Sequence, residues 1–469
     1  MLRVLDPSEV KASDQYRPPR PVSLPAIVSL IRVLRQGDGD LLSLLPITAY
    51  RDAIGPLGYS RRSIVIANAP ELVRQVLVED TASFPKSDLM VNATEALIGD
   101  SIFVSSGDTW KRQRAMVDPA FSAMRINRAF TAMSAAMDDA EALYDEHAAS
   151  GEPLSLDKAM GHLAADIICR TVFSTSLKSD IAHQVFDDFA IFERAAAQVN
   201  VVRLIWDKAW TKVPQPDDVL AACARIRGYL GQMIDGHLGE DGGTFDDIAS
   251  AVIAARDPLT GKGFTREELI DQLGVFFLAG HETSASALTW AVYILAMHTP
   301  TRERVRDEVD RIAGDDALSI DQVKKLSKTR NMFRETLRLY PPITFLPRVA
   351  LKETRLGDKR IKKGALVMIA PWVLHRHQTY WNDPDVFDMD RFKPGREAEM
   401  VPGCYIPFGQ GERLCSGAAF ATIEAMLVLA RLIRRYDIKV TDPDAARPAA
   451  RMTSRPANHS TTRLKRRTG

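Results

Sequence analysis

Apolar positions divide the chain into a long helical middle and shorter alternating segments. From about residue 110 to about residue 340, apolar residues recur at helical spacing. The most extended run lies between Thr265 and His298. Thr265 and Glu268 stand at capping-box spacing, and Pro300 marks the stop. At about 1.5 Å per residue this helix would be roughly 51 Å long, enough to cross a domain. It is apolar on nearly every side in its middle, which predicts burial, yet Glu282 and Thr283 fall there. A second helix over 325–340 carries Glu335 and Arg338 three positions apart and ends at Pro341 and Pro342. A third begins just after Cys415 and runs to about Arg435, with Ala418, Ile423, Met426, Leu427 and Ala430 along one face. Pro70 opens a further helix from the tolerated first position. ITAYRDAIG and SIVIANA, punctuated by Gly55, Pro56 and Gly58, read as a hairpin-like pair of strands. The expectation is a mainly α (α+β) chain. A helical body would occupy about 70–340 and 416–436, and a smaller β-rich part mainly 40–70, 343–372 and 440–467. No repeat, low-complexity tract or linker divides it, so 1–469 is expected to be a single domain.

Composition narrows the class. A chain of 469 residues exceeds the usual limit of one hydrophobic core, so it is either divided or unusually large. Lys+Arg 61 against Asp+Glu 60 gives a net charge of +1, which argues against a nucleic-acid binder. The four cysteines, at 169, 223, 404 and 415, form no C-x-x-C pair and are too few for a disulfide scaffold. A reducing, cytoplasmic setting is the default. The N-terminus lacks a signal-peptide pattern. The apolar stretch from Ser23 to Leu34 is interrupted by Arg32 and is too short to span a bilayer, so no transmembrane anchor is expected.

The sharpest chemical signal is PFGQGERLCSGAAFATIEA, residues 407–425. Phe408, Gly411, Cys415 and Gly417 form F-x-x-G-x-x-x-C-x-G, expected by composition about 5 × 10⁻⁴ times per chain. Cys415 stands at a helix start, where free N–H groups and the dipole favour a thiolate. The glycines let backbone approach a flat cofactor and turn N–H groups toward sulfur. Phe408 can shield the sulfur from water. A buried structural cysteine and a thiol nucleophile are the alternatives.

This stretch resembles the haem-binding signature of the cytochrome P450 family, and the resemblance extends over roughly residues 40–467. It implies that Cys415 is the axial thiolate of a haem b iron, with Gly409 in the same loop, and that the haem lies between the long central helix and the cysteine loop. A thiolate in that place favours O–O cleavage. AGHET, Ala279 to Thr283 with Gly280, resembles the family's oxygen-activating segment. ETLR resembles its Glu-x-x-Arg pair, Glu335 and Arg338. FDMDRF occupies the place of a further arginine, here Arg391, although Met389 and Asp390 replace the usual proline and glutamate. WKRQR, with Trp110 and Arg114, resembles a motif that reaches a haem propionate.

These matches differ in weight. Acidic-x-x-basic pairs arise roughly eight times by chance, and most are exposed helix pairs of little energetic value. The order of Glu335–Arg338 and its distance before Cys415 give it meaning, and with Arg391 it is expected to hold the cysteine loop. Trp110 and Arg114 alone would read as a cation–π pair. With Arg348 and Arg413 they offer three guanidinium groups for two propionates. Thr283 would ordinarily bond back to the Ala279 carbonyl. Glu282 beside it is too costly to leave unpaired in an apolar stretch, and the acid–alcohol pair reads as a proton relay. Gly280 is expected to let the helix widen. Phe276, Phe277, Ile343, Phe345 and Leu346 are expected to make the substrate pocket apolar, with further walls in 85–103, 186–212 and 454–458.

The expected activity is that of a haem-thiolate monooxygenase inserting one atom of O2 into a small apolar molecule of fatty-acid-like, terpenoid or steroid size. No G-x-G-x-x-G follows a strand and no P-loop is present, so electrons from NAD(P)H are expected through a separate ferredoxin and ferredoxin reductase. An acidic redox partner would dock near Lys111, Arg112 and Lys393, and the chain is expected to be a monomer. Peroxygenase or non-insertion chemistry is the enzymatic alternative. A haem sensor or electron carrier is the alternative from another class.

Overall fold

The computed structural model describes residues 15–36, 40–56, 63–196, 208–239, 245–314, 317–443, 446–450, 452–458 and 460–467. Its helices of eleven or more residues are α1 (Ala26–Gln36), α2 (Asp88–Ile98), α3 (Gly107–Val117), α4 (Ala123–Ser150), α5 (Leu156–Phe173) and α6 (Asp180–Ala196). They continue with α7 (Asp217–Leu238), α8 (Arg266–Met297), α9 (Thr299–Ala313), α10 (Ser327–Leu339) and α11 (Ala418–Arg435). The long helix α8 starts where the capping chemistry placed it. The Thr265 hydroxyl accepts from the Glu268 N–H at 3.2 Å, and the Glu268 carboxylate accepts from the Thr265 N–H at 2.8 Å. Most of α8 is buried, and α5 packs closely along it. Gly280 does not widen the helix, which stays α-helical throughout. A Cβ at that position would overlap the Ile168 side chain of α5, so the glycine serves close helix packing.

Strands are short and lie at the edge of the helical body. A four-stranded sheet has the order β1 (Ile54–Pro56), β2 (Ile64–Ala67), β7 (Leu366–Ile369), β4 (Leu346–Val349), with β2 and β7 parallel. β5 (Thr354–Leu356) pairs with β6 (Lys359–Ile361). β3 (Leu154–Ser155), β11 (Thr461–Arg466) and β8 (Tyr436–Val440) form a third sheet. β9 (Pro448–Ala450) and β10 (Ser454–Pro456) form an antiparallel pair. The hairpin expected over 47–69 is shorter than its alternation suggests. Ile47–Tyr50 form a 3-10 turn, and only Ile54–Pro56 pair antiparallel with β2. Ala49 and Tyr50 are buried there, so an alternating pattern served a turn packed on the core. A large apolar core runs among the helices, and a smaller one lies under the four-stranded sheet. Among the described residues no helix is long and apolar enough to cross a membrane.

Candidate functional site

The cysteine loop is shaped by its own backbone. The Phe408 carbonyl accepts from the Cys415 N–H at 3.0 Å, closing the loop on itself. Gly409 and Gly411 sit at φ +81° and +76°, a region open to glycine. At Gly411 any Cβ would also strike the Leu77 carbonyl. Helix α11 begins three residues past the sulfur. Cys169, Cys223 and Cys404 are buried in the core, where burial pushes their thiols up to about 12, 11 and 11. Cys415 alone opens to solvent-reachable space, because it faces a cavity. Burial by the surrounding walls raises its thiol, opposed by the Gly417 N–H and then by the Arg114 guanidinium.

Behind the loop lies a fully paired polar network. Glu335 and Arg338 on α10 are wholly buried and bonded by two contacts of 2.7 and 2.8 Å. Arg338 also donates to the carbonyls of His375, Pro384 and Val386. Glu335 further accepts from the Asp388 N–H at 2.9 Å and from Arg391 Nε at 3.3 Å. Breaking such a buried pair would leave a charge without compensation, which costs about 3–5 kcal/mol. His375, which the sequence did not mark, links this network to the loop. Its Nε2 accepts from the Ile406 N–H at 2.8 Å, so the proton resides on Nδ1, which donates to the Arg338 carbonyl at 3.2 Å. Burial, followed by the charges of Arg338 and Arg376, depresses its pKa to about 3 and keeps it neutral.

Beside Cys415 lies a cluster of cations, Arg348 buried and Lys86 and Arg413 half-buried. Arg413 lies 4.5 Å over the Trp110 ring and donates to the Ser105 carbonyl, while its Nη1 is buried without a partner. Arg348 on β4 is brought beside Lys86 by an isolated backbone bridge. Among the described residues none of Lys86, Arg348 and Arg413 is ion-paired. Burial and then mutual repulsion bring Arg348 down to about 10 and push Lys86 well below its ordinary value. Burial and Arg114 outweigh Glu412 and bring Arg413 to about 10. Lys86 was invisible in the sequence, since an isolated lysine carries no local signal. Arg114 donates to Asp118 at 2.7 Å and to the Leu414 carbonyl at 2.8 Å, and it borders the same cavity. Three clustered cations with no ion pair among the described residues call for anionic groups, and a lone cavity-facing cysteine beside them calls for a soft metal. The residues therefore fit haem b with its two propionates and an axial thiolate.

The cavity, about 2520 Å³, runs from this floor to α8 and onward past Phe276, Ile343, Phe345 and Leu346. Phe277 is a correction. One position further round the helix, it packs edge-on against Phe189 and beside His281, away from the cavity. Part of the 186–212 wall, residues 197–207, lies outside the described residues. The Thr283 hydroxyl donates to the Ala279 carbonyl at 2.6 Å. Glu282 is buried and bonded to Arg455 of β10 and, at 3.4 Å, to the Thr453 hydroxyl. Burial raises this carboxyl, but Glu193 and the Arg455 guanidinium outweigh burial and hold it below its ordinary value.

The comparisons agree with this geometry. The cytochrome P450 family model matches residues 18–460. Cyclooctatin synthase of Streptomyces melanosporofaciens is 31% identical over 394 residues, covering 84% of this chain and 84% of that protein. Cyclooctat-9-en-7-ol 5-monooxygenase of the same organism is 32% identical over 391 residues, covering 82% and 81%. The crystal structure of the cytochrome P450DA heme domain aligns with a TM-score of 0.83 and 25% identity, over 97% of this chain and 98% of that one. A cavity-facing cysteine in a glycine-shaped loop, a cluster of cations beside it and a long helix across the cavity thus coincide with a family match over most of the chain, which belongs to the cytochrome P450 family and is a haem b monooxygenase.

Proposed function

We propose that this enzyme hydroxylates a cyclic, terpenoid-sized apolar substrate, with electrons delivered by a separate ferredoxin and its reductase. The observation that carries this reading is the large cavity between α8 and the cysteine loop, walled by Phe276, Ile343, Phe345 and Leu346. Such a wall recognises shape and excludes water, and it offers a long flexible acid no advantage over a compact ring system. The relative named for cyclooctat-9-en-7-ol acts, by that name, on a cyclic alkene alcohol.

Each residue then has a stated task. Cys415 would hold the iron, and Lys86, Arg348 and Arg413, with Arg114, would hold the two propionates. Bound haem supplies reductive activation of O2, with one atom entering the substrate and the other leaving as water. Thr283 holds a proton at Oγ1, now donated to the Ala279 carbonyl, and can turn it into the cavity. For Glu282 to recharge that hydroxyl, its carboxylate must first part from Arg455.

The test is binding of a panel of cyclic terpenes, steroids and straight-chain fatty acids, followed by the spectral shift of the ferric enzyme. Cyclic terpenes are expected to give the largest shifts and to be converted to alcohols when reductant and redox proteins are supplied. Shifts confined to fatty acids would overturn the substrate class.

A further inference from the structure

Away from the cations beside the cysteine loop, the cavity wall carries a charged cluster where three elements meet. Glu282 comes from the middle of α8, Arg455 from β10 and Glu193 from the last turn of α6, and all three border the cavity. Arg455 is largely withdrawn from solvent, with its side chain 14% exposed, and its Nη2 is bonded to Glu282 Oε2. One polar atom of this cluster, Arg455 Nε, remains without a hydrogen bond. Arg455 Nε is buried, and Glu193 Oε1 lies 3.9 Å away, beyond hydrogen-bond reach. The Glu282 carboxyl is hydrogen-bonded to the Glu193 carboxyl, so the two acids and Arg455 form one cluster. A donor left open in a desolvated ion pair is costly unless something completes it.

We propose, on the footing of the terpenoid reading above, that this cluster is a subsite for a hydroxyl group already present on the substrate. A hydroxyl accepts from Arg455 Nε and can donate to a neighbouring carboxylate oxygen of Glu193 or Glu282, so it meets the open donor and keeps its own proton bonded. A ketone can only accept, and a hydrocarbon does neither. Charge excludes the other obvious candidate. Two carboxyl groups flank the single guanidinium, so the cluster offers no excess positive charge to a substrate carboxylate. Arg455 and Glu193 are therefore specificity-determining residues, and the substrate is a cyclic alcohol. In a reaction sequence, this enzyme would follow a step that installs the first oxygen, either hydration or an earlier hydroxylation.

The test uses the haem-loaded enzyme and three ligands on one diterpenoid skeleton, abietadiene, abietadienol and abietic acid, with dissociation constants from calorimetry. The alcohol is expected to bind roughly 10- to 100-fold more tightly than the hydrocarbon, because an unmet hydrogen bond in a site built for it is what rejects the analogue. Arg455→Lys keeps the charge beside Glu282 but removes the Nε donor. Glu193→Gln leaves both Arg455 and Glu282 in place and alters the acceptor. Each is expected to bring the alcohol toward the hydrocarbon's affinity while leaving the hydrocarbon's own affinity unchanged. Equal binding of alcohol and hydrocarbon by the unaltered enzyme overturns the subsite and leaves the terpenoid reading standing. Tightest binding of the acid overturns it by showing that an anion is read. Binding of none of the three overturns the terpenoid reading and the subsite together.

Discussion

Thr283 shows how one side chain can be structural at rest and chemical in turnover. Its hydroxyl is bonded to the Ala279 carbonyl at 2.6 Å, the ordinary habit of a threonine within a helix. Yet it borders the cavity, so rotation about χ1 would present the same proton to the reacting oxygen. Removing one preorganised donor typically costs about 10²–10³ in rate, and the loss here is expected to be smaller because water can take the hydroxyl's place. Thr283→Ala is therefore expected to keep haem and substrate binding but to lower product formed per NAD(P)H consumed, with hydrogen peroxide making up the difference. An unchanged ratio would leave Thr283 as a helix residue only. The residues of this centre were unequally legible in the sequence. Cys415, Arg348 and Arg413 could be named because motif and order marked them. Lys86, His375 and Arg455 could not, because each acquires its role from partners far away in the chain. Phe277 was misassigned because neighbouring positions on a helix point about 100° apart.

At the level of elements, the cysteine loop owes its position to α10 through His375. The chain of bonds runs from Glu335 and Arg338 to the imidazole and on to the Ile406 N–H. The imidazole has to be neutral, since Nε2 must accept a hydrogen bond. Its pKa is depressed to about 3 in the fold, against about 6.5 in an unfolded chain. Between those values the unfolded chain binds a proton that the native state does not. The stability from this group is thus fully present above about pH 6.5 and is lost progressively as pH falls toward 3. At pH 5 the loss amounts to about 2 kcal/mol. His375→Gln is expected to be less stable at pH 7 but to lose less between pH 7 and pH 5, as measured by denaturant unfolding at the two pH values. Parallel losses in both proteins would remove His375 from this account. The elements themselves were partly legible. The ends of α8 followed from Thr265, Glu268 and Pro300, a purely local grammar. Ile47–Tyr50 form a 3-10 turn rather than strand, because adjacent Ala49 and Tyr50 both pack on the core, which a pleated strand would not allow. Gly280 was misread as a widening of α8, because the close approach of Ile168 from α5 is a tertiary fact.

For the molecule as a whole, the proposed delivery of electrons by a separate ferredoxin would use the cysteine side. Of the three cations expected to receive an acidic ferredoxin, Arg112 is paired with Glu268 and Lys393 with Asp390 at 3.0 Å. Lys111 is 69% exposed and meets only the fully exposed Asp108, at 3.8 Å, a contact of little energetic value. Lys111→Glu is therefore expected to slow reduction by a ferredoxin several-fold at low salt, with the difference shrinking as ionic strength rises. Rates insensitive to both changes would place the docking surface elsewhere. All of this depends on one assignment, that Cys415 alone supplies the axial thiolate while Cys169, Cys223 and Cys404 stay buried in the core. The direct measurement is the absorbance of the reduced carbon monoxide complex of Cys415→Ala beside the unaltered enzyme. Loss of the long-wavelength band, with the other three cysteines intact, is the expected result, and survival of that band in Cys415→Ala would contradict the assignment.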